Sequence, residues 1–313
     1  MNITFWGVRG SIPTSPSAQE IKKKIKRVLR GAQGVDLDDK AAVNAYMDSL
    51  PPIQTGVAGG NSACVEVRFN NALFIFDAGS GLRPLGLDLM QREFAKGQGE
   101  AHIFLSHTHW DHIMGFPFFV PAFIPGNHIH FYGCYEDLED RIAYQQEDRH
   151  FPVSMAMMAA EKSYHTLIPD EPHIIAGITI YPFTMFHPGQ SFGYRIEHNG
   201  RVFVYASDTE FSTTREEDTM YLRDADLLVL DTMYTFEEAL AKTDWGHCSP
   251  FIGVDIALAE NVKKLALFHH EPTYDDRKLE RLLDKTIQYK EKMAPGSPLE
   301  IILAVEGLTL DLS

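Results

Sequence analysis

The sequence predicts an α/β protein built from two β-sheets covered by outer helices. Three observations carry this expectation. Apolar runs of strand length come grouped, at about 63–69 and 72–77 and again at 178–185, 191–197 and 201–206. Later runs alternate with helical patterns: strand 226–231, helix 249–260, strand 263–268, helix 275–293 and a final strand pair. Grouped strands followed by strand–helix alternation suit layered sheets and helices. Finally, several of the apolar runs close on a histidine or an aspartate.

Taken in order, the chain opens with a short strand at about 2–6 and a Gly/Pro-punctuated loop, GVRGSIPTSP. Ile21, Ile25, Val28 and Leu29 then fall on one helical stripe, with Lys22, Lys23, Lys24, Lys26, Arg27 and Arg30 on the other face. Such a basic stripe is more often a solvated face than a phosphate contact. A second helix is expected from about Asp38 to Leu50, stopped by Pro51 and Pro52. An Asn70-Asn71 turn should join the strands at 63–69 and 72–77. A helix near 81–95 leads to a buried strand, AHIFLSH, at 101–107. Residues 135–172 read as irregular and partly helical, and Met155, Met157 and Met158 serve there as a flexible lid or as packing. His198-Asn199-Gly200 should turn the strand at 191–197 into that at 201–206. The expected organisation is one domain over 1–313, with a helical insertion at about 15–56 and a candidate lid at about 135–172.

Composition excludes several classes. Of the 313 residues, 44% are hydrophobic and 23% charged, which is globular rather than disordered. Forty-three acidic against 28 basic residues give a net charge of −15, which disfavours nucleic acid as a partner unless a local basic patch grips it. No apolar run reaches the roughly 18 residues of a membrane span. The start, MNITFWGVRG, lacks the pattern of a signal peptide. The three scattered cysteines, Cys64, Cys134 and Cys248, suit a reducing cytoplasm.

The strongest chemical signal is His107-Thr108-His109-Trp110-Asp111-His112, directly after a buried strand. Four potential ligands in six residues, on a strand-to-helix turn, can serve two metal ions. Imidazole with carboxylate suits zinc, and also manganese or iron. His187, Asp208 and His269 each follow a further apolar run. Each alone would more often be structural. Strands of one sheet ending at one edge would gather all seven groups.

These residues resemble the metallo-β-lactamase superfamily of two-metal hydrolases. The resemblance covers nearly the whole chain outside 15–56 and 135–172. It implies a four-layer αββα sandwich with helical insertions. It implies two divalent metal ions, zinc first. His107, His109 and His187 would hold one, Asp111, His112 and His269 the other, with Asp208 bridging. His270 rivals His269, which is favoured because it follows the strand end at Phe268 directly. Trp245-Gly246-His247-Cys248-Ser249 resembles the ribonuclease Z-like phosphodiesterase branch, and FWGVRGSIPT, GGNSACVEV, FDAGSGLRPLG and GFPFFVPAF look like its small bacterial phosphodiesterases.

The implied chemistry is hydrolysis of a small phosphodiester, a cyclic nucleotide being the leading substrate, by a hydroxide shared between the metals. Asp111 counts among the catalytic groups as well as the ligands. His247 would protonate the leaving oxygen, or else cap the helix near Ser249. Asp231 would orient or charge His247, or else be a strand-end turn residue. Trp110, Phe116, Phe118 and Phe119 could wall a base, though an aromatic run is more often core. Other readings are a ribonuclease Z-type tRNA 3′-processing endonuclease, a lactone or carboxylic ester hydrolase, and a non-catalytic binding module. The first needs a basic, glycine-rich arm that is not evident between Asp111 and His187. The resemblance also implies a homodimer, for which the extra helical pair could be the interface, without a membrane partner.

Overall fold

A computed structural model describes residues 1–69, 72–211 and 219–312. The first half runs β1 (Asn2–Gly7), α1 (Ala18–Gly31), α2 (Lys40–Ser49), α3 (Pro52–Thr55), β2 (Cys64–Phe69), β3 (Ala72–Phe76), α4 (Leu82–Leu89), β4 (Glu100–Phe104), α5 (Trp110–Ile113), β5 (His128–Gly133), α6 (Leu138–Tyr144) and β6 (Glu161–Thr166). The second half runs β7 (His173–Ile175), β8 (Ile178–Met185), β9 (Ser191–His198), β10 (Arg201–Ala206), β11 (Leu227–Asp231), α7 (Phe236–Ala241), α8 (Pro250–Ala259), β12 (Lys264–Phe268), α9 (Asp276–Met293), β13 (Glu300–Leu303) and β14 (Thr309–Asp311).

Among the described residues the strands form two seven-stranded sheets, ordered β14-β1-β2-β3-β4-β5-β6 and β13-β12-β11-β10-β9-β8-β7. Strands β3 to β6 are parallel, as are β10 to β13. In β3 and in β10 to β12 most side chains alternate between two buried faces, so these strands read as near-continuous apolar runs. Phe74, Phe76 and Phe104 of the first sheet meet Tyr194, Phe203, Tyr205 and Phe268 of the second in the central core. On the outside, Ile75 and Ile103 pack against Leu82, Leu85 and Phe119, while Leu228 and Leu265 pack against Val254 and Leu279. The layers are helix, sheet, sheet, helix, as expected. Among the described residues no helix is long and apolar enough to cross a membrane.

Most elements fall where the sequence places them. The β9–β10 hairpin turns on Asn199 and Gly200, both at positive φ (50° and 73°), the geometry of a two-residue type I′ turn. The Asn70-Asn71 turn lies outside the described residues. Five expectations need correction. The helix near 81–95 is two pieces, α4 and a 3₁₀ turn at Glu93–Lys96. The strand expected at 101–107 ends at Phe104. The last two strands do not pair with each other: β13 extends the second sheet beside β12, and β14 the first beside β1. Strands β5 and β6 join the first sheet where the sequence showed no strand. Their polar residues, in HIHFYG and EKSYHT, break the apolar pattern because this end of the sheet is partly open to solvent.

The fifth correction concerns α1. Its apolar stripe is not buried: Ile25 is 54% and Leu29 59% exposed. Its basic face docks instead. Lys24 donates to the carbonyls of Ile53 and Gly56 and pairs with Asp276, and Arg27 grips Glu280 at 2.7 and 2.8 Å. Asp276 also accepts from the Ala58 amide at 3.1 Å and lies 4.0 Å from Arg9. Helix α1 is therefore tethered to the start of α9 by charge. Asp276→Ala should cost about 2–3 kcal/mol, the range for losing hydrogen bonds to a charged group that leaves cations behind. Urea unfolding should show the midpoint falling with an unchanged slope.

Candidate metal centre

The site lies where the two sheets meet at one edge. The sequence pattern suggested strands of a single sheet, but the residues arrive from both. His107, His109, Asp111 and His112 follow β4 of the first sheet, whereas His187, Asp208 and His269 follow β8, β10 and β12 of the second. Parallel strands end at a common edge, so their following loops converge.

All seven groups form two adjoining clusters. Ligand atoms of His107, His109 and His187 lie within 4.8 Å of one another, and so do those of Asp111, His112, Asp208 and His269. Asp208 stands between them. Its Oδ1 is 3.1 Å from both His112 Nε2 and His269 Nε2. Its Oδ2 is 3.8 Å from both His107 Nε2 and His187 Nε2. Asp111 Oδ2 lies 3.2 Å from His112 Nε2 and 3.3 Å from His269 Nε2, and accepts the Ser11 amide at 2.7 Å.

Three of the rings are aimed by partners on their far nitrogens. His112 Nδ1 donates to Asp77 at 2.7 Å, and His187 Nδ1 donates to the Gly246 carbonyl at 2.9 Å. His107 Nδ1 is hydrogen-bonded to Ser106 Oγ at 3.1 Å. Such outer contacts fix the tautomer and leave Nε2 facing inward. Asp77 is a positioning residue that the sequence reading passed over. It also accepts from Tyr205 OH at 2.7 Å and the Ser106 amide at 2.8 Å. Its signal was available, since it closes the apolar run ALFIF just as Asp208 closes its own.

The donor set fits divalent metal ions. The Nε2 atoms of His107 and His112 are buried yet make no hydrogen bond, although carboxylate oxygens stand close by. That is the arrangement of lone pairs converging on a shared point. Burial, with the neighbouring imidazoles, holds His107 well below the usual histidine pKa, in the neutral form that a ligand needs. Burial would also lower His112, but the charges of Asp111, Asp208 and Asp77 raise it well above that value. The negative charge gathered on this ring is what a cation would offset.

Backbone geometry is adapted to the site. Asp77 and His269 both sit at positive φ, 60° and 59°, a strained conformation for these residues. A Cβ on Gly10 would come 2.5 Å from the His269 ring, and one on Gly246 2.2 Å from His187 Nδ1. His270 does not face the clusters. It is buried, its Nε2 is 2.8 Å from the Ala304 carbonyl, and burial with Arg9 lowers it to about 3.

His247 lies beside the clusters. Its Nδ1 donates to Asp231 at 2.8 Å and lies 4.0 Å from Asp208, and its ring stacks on His269. Burial opposes its charge, but Asp231 and Asp208 raise its pKa to about 9. It does not cap the following helix, because Ser249 does so through Ile252 N. Asp231 also accepts the Thr209 and Met233 amides. The aromatic run divides: Phe116 and Phe119 are core, while Phe118 is exposed and Trp110 is 80% exposed. The methionines divide too, Met158 buried and Met157 exposed. A cavity of about 680 Å³ lies beside the loop, lined by Trp110, Thr108, Arg141, Tyr144 and His150 among others.

A model of the β-lactamase superfamily domain matches residues 73–270. The chain belongs to that superfamily, a class of metal-dependent hydrolases. Within it, the chain is similar to proteins named Ribonuclease Z. It is 24% identical over 264 residues to Ribonuclease Z of Halobacterium salinarum, covering 68% of this chain and 82% of that one. It is 33% identical over 113 residues to Ribonuclease Z of Sulfurisphaera tokodaii, covering 30% of this chain and only 37% of that relative. Human tRNase Z, short form, shares the fold with a TM-score of 0.63 at 18% identity, covering 100% of both chains.

Asp77→Asn keeps the shape of the side chain but removes the charge behind His112. It should weaken retention of an ion at His112 by about 10–100-fold, the usual cost of such an outer change. Competition against a chromophoric chelator, with folding checked by circular dichroism, measures it.

Proposed function

We propose that the protein is a two-metal phosphodiesterase acting on a small phosphodiester, with a cyclic nucleotide as the leading substrate. The observation that carries this reading is the pair of clusters spanned by Asp208, with His247 held beside them by Asp231. His107, His109 and His187 would hold one divalent ion, and Asp111, His112 and His269 the other, with Asp208 shared. Zinc suits the mixed imidazole and carboxylate donors best, with manganese or iron as alternatives.

Ions held there would polarise a phosphoryl oxygen and lower the pKa of bound water. Asp208, with one oxygen toward each cluster, would be shared between them. Asp77, Ser106 and the Gly246 carbonyl hold the imidazoles against rotation. With Nδ1 engaged by Asp231, His247 offers its other nitrogen to the leaving oxygen and can hand it a proton. The cavity beside Trp110 has the size of a small-ligand pocket. Trp110 and Tyr144 give it aromatic faces for a base, while Arg141 at its wall is paired with Asp137 at 2.6 Å.

The relatives named Ribonuclease Z favour a second reading, tRNA 3′-end processing. Lys24 and Arg27 of the basic stripe are already committed to Asp276 and Glu280, which leaves less of it for a phosphate backbone. A homodimer belongs with the first reading, and the exposed stripe of α1 is the surface we assign to it.

Metal-replete protein should be assayed on cyclic mononucleotides, cyclic dinucleotides, a lactone and a precursor tRNA. Turnover confined to the tRNA would replace the first reading by the second. Turnover of the lactone alone would remove both.

Elemental analysis should find at least two transition-metal ions per chain, two of them lost or disturbed with this centre. Asp208→Ala should disturb both and cut turnover by several orders of magnitude; full activity with both ions retained would refute its placement.

His247→Ala should keep both ions and lower turnover by roughly 10²–10⁴ on a ribose leaving group. On a p-nitrophenyl ester the loss should be small, because that oxygen departs without a proton. Equal losses on both substrates would make His247 a phosphate-orienting residue instead.

A further inference from the structure

A second histidine cluster lies at the other end of the first sheet. Glu100 and His102 are on β4, His130 on β5, and Ser163 and His165 on β6. The register sets His102 beside His130, and His130 beside Ser163. His102 comes five residues before His107, roughly 15 Å back along a strand that rises about 3.3 Å per residue. Nothing in the proposed phosphodiesterase chemistry uses this cluster.

Its geometry is that of a ligand set. Ligand atoms of Glu100, His102 and His130 all lie within 4.8 Å of one another. Glu100 Oε1 is 3.1 Å from His130 Nε2 and 3.7 Å from His102 Nε2. Bonds of 2.0–2.1 Å to a tetrahedral ion put neighbouring ligand atoms about 3.3 Å apart. The two rings are nearly parallel, 15° between planes and 5.0 Å between centroids, so both present the same edge to Glu100. Each is fixed from behind: His102 Nδ1 is hydrogen-bonded to Tyr132 OH at 3.1 Å, and His130 Nδ1 to Ser163 Oγ at 2.7 Å. This resembles the plan of the first centre: Nδ1 is engaged from behind, and Nε2 of each ring is turned toward Glu100, hydrogen-bonded to it in His130, on the side an ion would take.

The surroundings agree. His102 is buried, and burial, with the neighbouring His130, lowers its pKa to about 4. It is therefore a neutral donor at pH 7. Glu100 is exposed, so an ion can enter from solvent.

We infer that Glu100, His102 and His130 form a third divalent transition-metal site, of the zinc class, that cross-links β4 to β5. Water would complete its coordination. The inference stands whether or not the first centre hydrolyses phosphodiesters, because it depends on none of those residues.

The test is metal content after equilibration with zinc or cobalt(II) and desalting. Wild-type protein should carry one equivalent more than either Glu100→Gln or His130→Gln. Glu100 is exposed and His130 partly so, and either variant serves if the other folds poorly. Ser163→Ala should weaken the extra ion by about 10–100-fold in a chelator competition, which a plain Glu100–His130 ion pair would not predict. His128→Gln, one row further along the strands, should leave the extra equivalent in place. Equal metal content in the wild type and both ligand variants would overturn the inference. So would loss of the extra ion in His128→Gln with retention in His130→Gln.

Discussion

The carboxylate of Asp208 is buried between two groups of imidazoles, one oxygen toward each. Asp77, Asp111 and Asp231 are buried within the same few ångströms of structure. Four desolvated carboxylates cannot share such a space without compensation, since an unpaired buried charge costs several kcal/mol. Imidazoles and backbone amides supply part of it. The remaining excess of negative charge, focused on inward-facing ring nitrogens without hydrogen bonds, is offset when cations sit among them. Much of the architecture around the site answers this one requirement.

Two sheets are needed because one loop cannot surround two ions. The loop after β4 supplies four groups from below, and the loops after β8, β10 and β12 supply three from above. The central core, Phe74, Phe76 and Phe104 against Phe203, Tyr205 and Phe268, holds the two edges in register. Core and site meet in Tyr205. Its ring packs on Phe76 and Phe268, and its hydroxyl donates to Asp77, which in turn holds His112. Packing in the interior thereby sets the angle of a ring at the surface of the site.

Legibility in the sequence followed the burial of each strand. Strands β4, β10 and β12 are buried on both faces over their last residues, so their ends, and the histidine or aspartate that follows each, could be placed to within a few residues. Asp77 obeys the same rule, but it stands alone among the glycines of FDAGSG, far in sequence from the histidine-rich loop, so nothing local ties it to the ligands. Strands β5 and β6 stayed hidden because one face of each carries His128, His130, Ser163 and His165 at the open end of the sheet, where apolar side chains are not required. The allotment of ligands to two sheets was also illegible, since strand order is a long-range property with no local signature. Helix α1 misled for the opposite reason. Its apolar stripe is regular, yet the helix is anchored through lysine and arginine.

Charge also bears on the size of the substrate. At physiological salt a surface charge is felt over about 8 Å. A small phosphodiester held at the clusters would meet mainly the imidazoles and any ions they held. A polynucleotide extends far beyond that radius and meets the rest of a chain whose net charge is −15. To bind it, the protein would need a cationic track leading away from the centre. The longest run of basic residues, on α1, spends Lys24 and Arg27 on carboxylates of its own protein. The same ion pairs that tether α1 therefore subtract from any nucleic-acid surface it could offer, and the electrostatic balance favours a substrate small enough to lie wholly within the field of the site.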